Sequence, residues 1–230
     1  MSLPVLVIGR SGSGKTYSLK NFKAAEVGVI SVEKGRLPFK SDIKVVKVPK
    51  FEKGQDGSDL NPAQINAARY SWIESVIKTG KMKTFVVDDS QYLLANELFD
   101  RAYEKGFDKF VTMANHVRDL IHFINDMEDD DKIVYFLHHS ELDADGKEKV
   151  KTIGKMLDEK LCVEGCFDIV LYCQDNKFFT QANGQSVAKT PEQMFETVEI
   201  PNDLKAVDTA IREYWQMKPL SDKKKNKNAV

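Results

Sequence analysis

The sequence has few of the features that mark a membrane or a secreted protein. Its longest apolar runs, such as residues 5–8 and 133–137, contain four and five residues, whereas a membrane-spanning helix needs about 18 or more. No lysine or arginine precedes the first apolar run, as it would in a secretory signal. Only three cysteines occur, Cys162, Cys166 and Cys173, which is too small and too odd a set for a disulfide framework. We therefore expect a cytoplasmic protein with reduced thiols and no membrane partner.

The chain also has no excess of positive charge, and its mildly acidic body argues against strong unassisted binding to nucleic acid. Its 34 lysines and arginines nearly balance 35 acidic residues, so that the whole chain carries −1. Residues 218–230 hold five lysines and one aspartate, a charge of +4, which leaves −5 on residues 1–217. We predict a folded domain over residues 1–217 and a basic, disordered tail over residues 218–230. The tail is either solvated or a weak electrostatic tether for nucleic acid.

Apolar segments of strand length alternate with longer segments of helical period. This alternation is typical of a mostly parallel sheet with crossover helices and predicts an α/β fold. Two segments rich in charge and turn formers, residues 49–60 and 141–152, predict surface loops. The predicted strands lie near residues 3–8, 27–32, 43–48, 84–88, 132–138, 167–173 and 176–181.

Two of the predicted helices carry clear signals. One should begin at Asn61, because Pro62 fits the first helical position and Gln64 completes a capping box, and it should end near Gly80. The other should cover residues 108–127, where apolar residues recur at steps of three and four.

One motif dominates the chemistry of the sequence. Residues 9–16, Gly-Arg-Ser-Gly-Ser-Gly-Lys-Thr, match the phosphate-binding pattern G-x-x-x-x-G-K-[S/T] directly after an apolar strand and before a predicted helix. Glycines let backbone N–H groups converge on phosphate oxygens, Lys15 reaches the β- and γ-phosphates, and Thr16 offers a hydroxyl to Mg²⁺. The predicted nucleotide-binding residues are Gly9, Arg10, Ser11, Gly12, Ser13, Gly14, Lys15, Thr16 and Tyr17.

A pair of acidic residues follows another apolar strand. Residues 84–88, Thr-Phe-Val-Val-Asp, predict a buried strand that ends in Asp88. A nucleotide held at the glycine motif needs a metal-side carboxylate at such a position, and we assign Asp88 to hold Mg²⁺ with Thr16. Asp89 has two interpretations: it polarises the attacking water, or it caps a helix over residues 90–104.

Glu33 is a second candidate for the general base. It follows the predicted strand 27–32 and should therefore stand at the carboxyl edge of the sheet, on the same rim as the glycine motif. A general base must lie within hydrogen-bond reach of the attacking water. The alternative is a surface turn residue beside Lys34.

The predicted strand 132–138 runs into two histidines. If this strand lies between the glycine-motif strand and the Asp88 strand, its tip points at the γ-phosphate, and a polar residue there senses that phosphate. His139 is the first candidate for this role and His138 the second. A histidine pair is also compatible with zinc, but no further ligand stands at zinc spacing.

Two lysine-bearing segments complete the set. The stretch 141–160 contains no arginine and is either a mobile loop that contacts a phosphate backbone or a solvated loop. Lys189 is a candidate to supply positive charge to the γ-phosphate of a neighbouring subunit. The lysines of the first segment are Lys147, Lys149, Lys151, Lys155 and Lys160.

Together these motifs resemble the RecA-like ATPases, and in particular the compact phage-type branch associated with single-strand annealing and recombination. The resemblance rests on residues 9–16, on the strand ending in Glu33, on Val-Val-Asp at residues 86–88, on the His138-His139 tip and on Ala-Lys-Thr-Pro at residues 188–191. It covers about residues 3 to 215. It implies a P-loop NTPase of the RecA-like (ASCE) type, with three α-β-α layers around a mostly parallel sheet.

The resemblance also implies a function. ATP and Mg²⁺ would bind at Lys15, Thr16 and Asp88, and Glu33 would activate water. Lys189 would act across a subunit interface of a homo-oligomer, and loops after Asp88 and His139 would face single-stranded DNA. A single-strand binding protein would be a further partner, and the host cytoplasm the location. The sequence departs from RecA itself in the acidic Asp89, where RecA has a serine.

Two other classes remain open. A small-molecule or nucleoside kinase would also use the glycine motif, but such kinases close an arginine-rich lid over the phosphates, and the chain has six arginines with none in 141–160. A non-catalytic, nucleotide-gated partner protein would keep the glycine motif without needing Glu33.

Overall fold

The structure is a computed structural model that describes residues 1–54, 56–127, 131–153 and 161–220. Lys155, Lys160 and residues 221–230 of the predicted tail lie outside the described residues.

The described residues form nine β-strands and four α-helices. The strands are β1 (Leu3–Gly9), β2 (Val27–Ser31), β3 (Val45–Lys47), β4 (Thr84–Asp88), β5 (Ile133–Leu142), β6 (Glu148–Val150), β7 (Ile169–Gln174), β8 (Lys177–Phe179) and β9 (Glu199–Pro201). The helices are α1 (Pro62–Thr79), α2 (Gln91–Asp100), α3 (Asp108–Asn125) and α4 (Leu204–Tyr214).

All nine strands belong to one mixed sheet. Its order is β3-β2-β4-β5-β1-β7-β8-β9, with β6 paired to the end of β5. The six strands from β3 to β7 pair in parallel, and β6, β8 and β9 add antiparallel pairs. The α/β fold with a mostly parallel sheet is therefore confirmed.

Side chains alternate between the two faces of each central strand, so the sheet has two cores. On one face, Leu6 and Phe136 pack with residues of α1, α2 and α3. On the other face, Val7 and Leu137 pack with α4 and with a short helix that follows β1. Helices on both faces are compatible with three α-β-α layers.

The placement of β5 matches the condition set for the sensor strand. It pairs with β1 over Leu3–Gly9 and with β4 over Thr84–Asp88, so it separates the glycine-motif strand from the Asp88 strand. The carboxyl ends of β1, β4 and β5 therefore meet at one edge of the sheet.

The prediction of a surface loop over residues 141–152 was wrong. Strand β5 continues to Leu142, and β6 returns along it from Glu148 to Val150. Gly146, with a φ of 79°, lies in the turn. Buried Glu148 and Val150 alternate with half-buried Lys149, and this hairpin pattern is hidden in the sequence by the flanking charges. Residues 49–60 contain no helix or strand among those described, as predicted.

The helix signals were correct for α1 but not for the segment after the glycine motif. Asn61 Oδ1 accepts from the N–H of Gln64 (2.9 Å), and Gln64 Oε1 accepts from the N–H of Asn61 (3.0 Å). After Lys15, however, the chain forms only a six-residue 3-10 helix, Thr16–Asn21. Few residues separate it from β2, and Phe22 turns into the core.

Strand β9 and helix α4 were not identified from the sequence. Asp203 caps α4, because its side chain accepts from the N–H groups of Lys205 and Ala206. The helix buries Leu204, Val207 and Ile211, a spacing that the sequence does show.

A buried ion pair fastens α4 to the amino-terminal edge of the sheet. Arg212 Nε donates to Asp208 Oδ1 (2.6 Å), and Thr84 Oγ1 donates to Asp208 Oδ2 (2.8 Å). The guanidinium also donates to the carbonyls of Lys83 (2.7 Å) and Lys218 (2.9 Å). Lys218 thus contacts the domain although it begins the predicted tail.

Among the described residues, none of the helices combines the length and the apolar character needed to cross a bilayer.

Candidate phosphate site at the carboxyl edge of the sheet

Residues 9–16, here called the glycine loop, leave β1 and curve around one side of an open cavity of about 310 Å³. Gly12 and Gly14 have φ values of 82° and 106°, which side-chain-bearing residues rarely adopt. A Cβ at Gly14 would also stand 2.6 Å from Asn202 Nδ2. The loop therefore needs glycine at both positions for conformation, and at Gly14 also for space.

Two asparagines that the sequence did not single out hold the glycine loop in place. Asn202 Nδ2 donates to the carbonyl of Gly14 (3.0 Å) and to Asn176 Oδ1 (2.7 Å). The N–H of Asn176 donates to the carbonyl of Ser13 (3.2 Å). These asparagines come from the β7–β8 turn and from the end of β9, so only the folded sheet brings them together.

Lys15 lies inside the glycine loop. Its Nζ donates to the carbonyls of Gly9 (2.6 Å) and Arg10 (2.9 Å), and the residue is buried. Burial lowers the pKa of Lys15, while the nearby Asp88 and Asp89 act in the opposite direction. Its ammonium therefore stands at the floor of the cavity, between the loop and two carboxylates.

Thr16 and Asp88 meet as the sequence predicted for a magnesium site. Thr16 Oγ1 donates to Asp88 Oδ1 (2.9 Å). Burial raises the pKa of Asp88 to about 6, with the charge of Asp89 adding to the effect. A hydroxyl and a carboxylate are oxygen ligands of the kind that Mg²⁺ takes when waters and phosphates complete its shell. The donor set fits the ion.

Asp89 faces the same cavity and does not cap a helix. Its backbone has a φ of 59°, and α2 begins without a side-chain cap. Instead, Asp89 Oδ1 accepts from His139 Nε2 (3.3 Å). That hydrogen bond lowers the pKa of Asp89 against the opposing effect of burial. Of the two interpretations, the contacts favour the one in which Asp89 acts on the site.

The two histidines of β5 point to opposite faces. His139 lines the cavity with Asp89. His138 is buried on the other face, where Nδ1 lies 2.9 Å from Ser90 Oγ and Nε2 lies 2.8 Å from the carbonyl of Lys151. Burial lowers the pKa of His138 to about 4. The contacts of His138 therefore indicate a structural role, and His139 stays the candidate sensor.

Glu33 lies near this edge but outside the cavity wall. Ser31 pairs with Asp88, and the N–H of Val32 donates to the carbonyl of Asp88 (3.1 Å). Glu33 comes next along the chain and is exposed. Among the described residues, those that line the cavity do not include it. Its role as the general base stays a prediction.

Two cations that the sequence did not single out line the cavity where Glu33 was expected. Lys34 and Arg36 follow β2 and form the outer wall with Leu37 and Pro38. Their position depends on the pairing of β2 with β4, a contact between distant segments that no local pattern indicates. Tyr17, predicted to bind nucleotide, lies on the same wall.

The other predicted residues lie away from this cavity. The backbone of Lys189 pairs with Val170 of β7, and the residue is half-buried. Lys147 and Lys151 are exposed at the β5–β6 hairpin, and Lys149 pairs with Glu141 (3.7 Å). Within the described part of the chain, histidines, cysteines and carboxylates form no group of three or more that could hold a metal ion.

Comparison with models of known protein families gives no match, and comparison with curated proteins gives no significant match.

Proposed function

We propose that the chain is a RecA-like P-loop ATPase that binds ATP with Mg²⁺ and hydrolyses it. The observation that carries this proposal is the meeting of Lys15, Thr16 and Asp88 in one cavity bounded by a glycine-rich loop. The strand order supports it, because β5 separates β1 from β4, which is the condition under which the tip of β5 would point at the γ-phosphate.

In the proposed reaction, water attacks the γ-phosphorus and the bond to the β–γ bridging oxygen breaks, giving ADP and phosphate. Lys15 would bind the terminal phosphates, and Thr16 and Asp88 would hold the metal ion. Bound Mg²⁺ would neutralise charge on the phosphates. A carboxylate would orient the water and take its proton. Glu33 is the base implied by the resemblance, and Asp89 is the one that the contacts favour.

Phosphate release tests this proposal. Purified full chain is assayed with ATP and Mg²⁺, and the variants Glu33→Gln and Asp89→Asn are compared with Lys15→Ala, which should lose nucleotide binding. The variant of the true base should bind ATP as the wild type does and lose turnover by about a hundredfold or more. A wild type that neither binds nor hydrolyses ATP would contradict the proposal.

We place single-stranded DNA at the β5–β6 hairpin, in line with the resemblance. The hairpin follows His139 and exposes Lys147 and Lys151. Backbone contacts by lysines are electrostatic, so binding should weaken as salt rises. The double variant Lys147→Ala/Lys151→Ala should reduce both DNA binding and any DNA-stimulated turnover, whereas Lys78→Ala on α1 should change neither. Equal DNA binding by both variants would show that DNA does not bind at the hairpin.

We also propose a homo-oligomer in which Lys189 reaches a neighbour's nucleotide. The position of Lys189 away from its own chain's cavity is compatible with action on another subunit. Light scattering with ATP and with ADP should show a larger particle with ATP. A chain that stays monomeric in both nucleotides, yet hydrolyses ATP at the same rate over a wide concentration range, would exclude this arrangement.

A nucleotide-gated protein without hydrolysis is the second candidate, and the exposure of Glu33 outside the cavity favours it. It predicts tight ATP binding, a change in partner binding with ATP, and no phosphate release. A kinase would instead require a phosphate-accepting metabolite for turnover, and phosphate release in water alone would argue against it.

A further inference from the structure

The segment between β2 and β3 forms a wall over the phosphate site. It leaves the sheet where Ser31 pairs with Asp88, and it turns sharply at Gly35, which has a φ of 69°. The N–H of Gly35 donates to Ser31 Oγ (2.8 Å). This turn holds the segment beside Asp88 and Asp89 rather than letting it project into solvent.

Contacts beyond the turn fix the wall to the rest of the domain. Leu37 and Phe39 pack against the core on the α4 face of the sheet. The Phe39 ring also meets the ring of Tyr17 edge-on, with 6.0 Å between centroids. Tyr17 belongs to the short helix that follows the glycine loop, so the wall and the loop are joined within one chain.

Two cations of this wall, Lys34 and Arg36, line the cavity. They do so together with Lys15, Asp88 and Asp89. The charge of Lys34 interacts with the carboxylate of Asp89, so the two carboxylates balance part of the positive charge of Lys15, Lys34 and Arg36. Positive charge concentrated at the mouth of a cleft attracts polyanions and increases their local concentration.

We propose that Lys34, assisted by Arg36, binds the terminal phosphate of the nucleotide from within the same chain. This inference rests on the proposed nucleotide-binding function and sharpens it. The resemblance alone assigns a positive group from a neighbouring subunit, Lys189, to that phosphate. With a cation from the β2–β3 wall, each subunit would instead supply its own positive group to the terminal phosphate and would not need a neighbouring subunit for it.

Binding measurements with two nucleotides test the contact. Full-chain Lys34→Ala should bind a nonhydrolysable ATP analogue about tenfold more weakly than wild type, since a hydrogen bond to a charged group is lost. Its affinity for ADP should change less than about twofold, because ADP lacks the terminal phosphate. Lys34→Arg should retain most of the affinity, and Arg36→Ala should show a smaller loss than Lys34→Ala.

Lys40→Ala is the matched control, since Lys40 is exposed on the same segment but outside the cavity wall. It should leave both affinities unchanged. An equal loss in Lys34→Ala and Lys40→Ala, or an equal loss for both nucleotides, would show a general charge effect and overturn the assignment. If the wild type binds the analogue and Lys34→Ala binds it equally well, this inference fails while the proposed function stands.

A mixing experiment separates the same chain from a neighbour. Lys34→Ala has an intact Lys15, and Lys15→Ala has an intact Lys34. Mixed subunits would regain ATP turnover if Lys34 acted across an interface, and this recovery would overturn the proposal. Turnover that stays at the level of the separate variants supports action within one chain. A wild type that binds no nucleotide at all would remove the proposed function and this inference together.

Discussion

The two edges of the sheet handle buried charge in opposite ways. At the amino-terminal edge, Asp208 and Arg212 are fully buried, and the guanidinium finds acceptors in Asp208 and several backbone carbonyls. At the carboxyl edge, Asp88 and Asp89 stand side by side in an open cavity with cations nearby. The first edge uses charge to fix α4. The second holds like charges together at a cost in stability, which is typical of a functional site.

The largest effect should come from breaking the ion pair at the amino-terminal edge. Arg212→Ala leaves Asp208 buried without a counter-charge, and burial already raises the pKa of Asp208. We expect the free energy of unfolding to fall by about 3–5 kcal/mol, measured by urea denaturation. Arg118→Ala, at the exposed pair with Asp119, should change it by less than about 0.5 kcal/mol. Similar losses in both variants would contradict the comparison.

The next effect should have the opposite sign. Because the pKa of Asp88 is raised to about 6 from 3.8, its ionisation opposes folding, and Asp88 contributes a loss of stability as pH rises between about 4 and 6. His138, whose pKa is lowered to about 4, contributes the opposite change over the same range, so the effect of Asp88 is the difference between wild type and Asp88→Asn. At pH 7 and in the presence of EDTA, Asp88→Asn should therefore have a free energy of unfolding about 2 kcal/mol higher than wild type, measured by urea denaturation. The gain should disappear below about pH 4.

Asp126→Asn, at an exposed carboxylate on the end of α3, is the control for Asp88→Asn and should be neutral at both pH values. Asp88→Asn should also lose metal-dependent turnover if the proposed function holds. If Asp88→Asn is less stable than wild type at pH 7, the Asp88 charge stabilises the fold. That result would contradict the proposed difference between the two edges of the sheet.

A smaller loss should follow removal of the glycine-loop support. In Asn202→Ala, the Gly14 carbonyl and Asn176 Oδ1 lose their donor. We expect about 1–2 kcal/mol less unfolding free energy and weaker ATP binding by fluorescence titration. Asn125→Ala, at an exposed asparagine at the end of α3, should leave ATP binding as in wild type. Unchanged ATP binding in Asn202→Ala would show that Asn202 contributes to stability but not to ATP binding.

The smallest stability effect should be at His139. Its ring is only partly buried, and within the described part of the chain it has one hydrogen-bond partner, Asp89. His139→Phe keeps a ring at this position but removes the donor to Asp89. It should change the unfolding free energy by less than about 1 kcal/mol, yet lower phosphate release by about tenfold, because Asp89 loses the group that positions it. A stability loss above about 1 kcal/mol without a change in turnover would assign His139 to the fold.

Local signals in the sequence were enough for a definite part of the structure. The apolar runs predict the central strands, the Asn61 capping box predicts the start of α1, and residues 9–16 predict the glycine loop. Each of these depends on neighbours within a few residues. The order of the strands could be stated only as a condition, since β5 pairs with β1 across 130 residues and with β4 across 49 residues.

The rest of the candidate site lay beyond such signals. Lys34, Arg36, Asn176 and Asn202 carry no motif of their own, and they reach the glycine loop only because β2 pairs with β4 and because β8 and β9 extend the sheet beyond β7. Glu33 is the reverse case. It ends an obvious strand, but its neighbour along the chain is the residue that lines the cavity.

The contact between Arg212 and the carbonyl of Lys218 has a practical consequence for trimming the protein. A chain cut at residue 217 would delete one acceptor of a buried guanidinium and also Leu220, which packs against the core. Removing only residues 221–230 would keep both. The shorter basic segment can thus be deleted to examine its contribution without disturbing the anchor of the last helix.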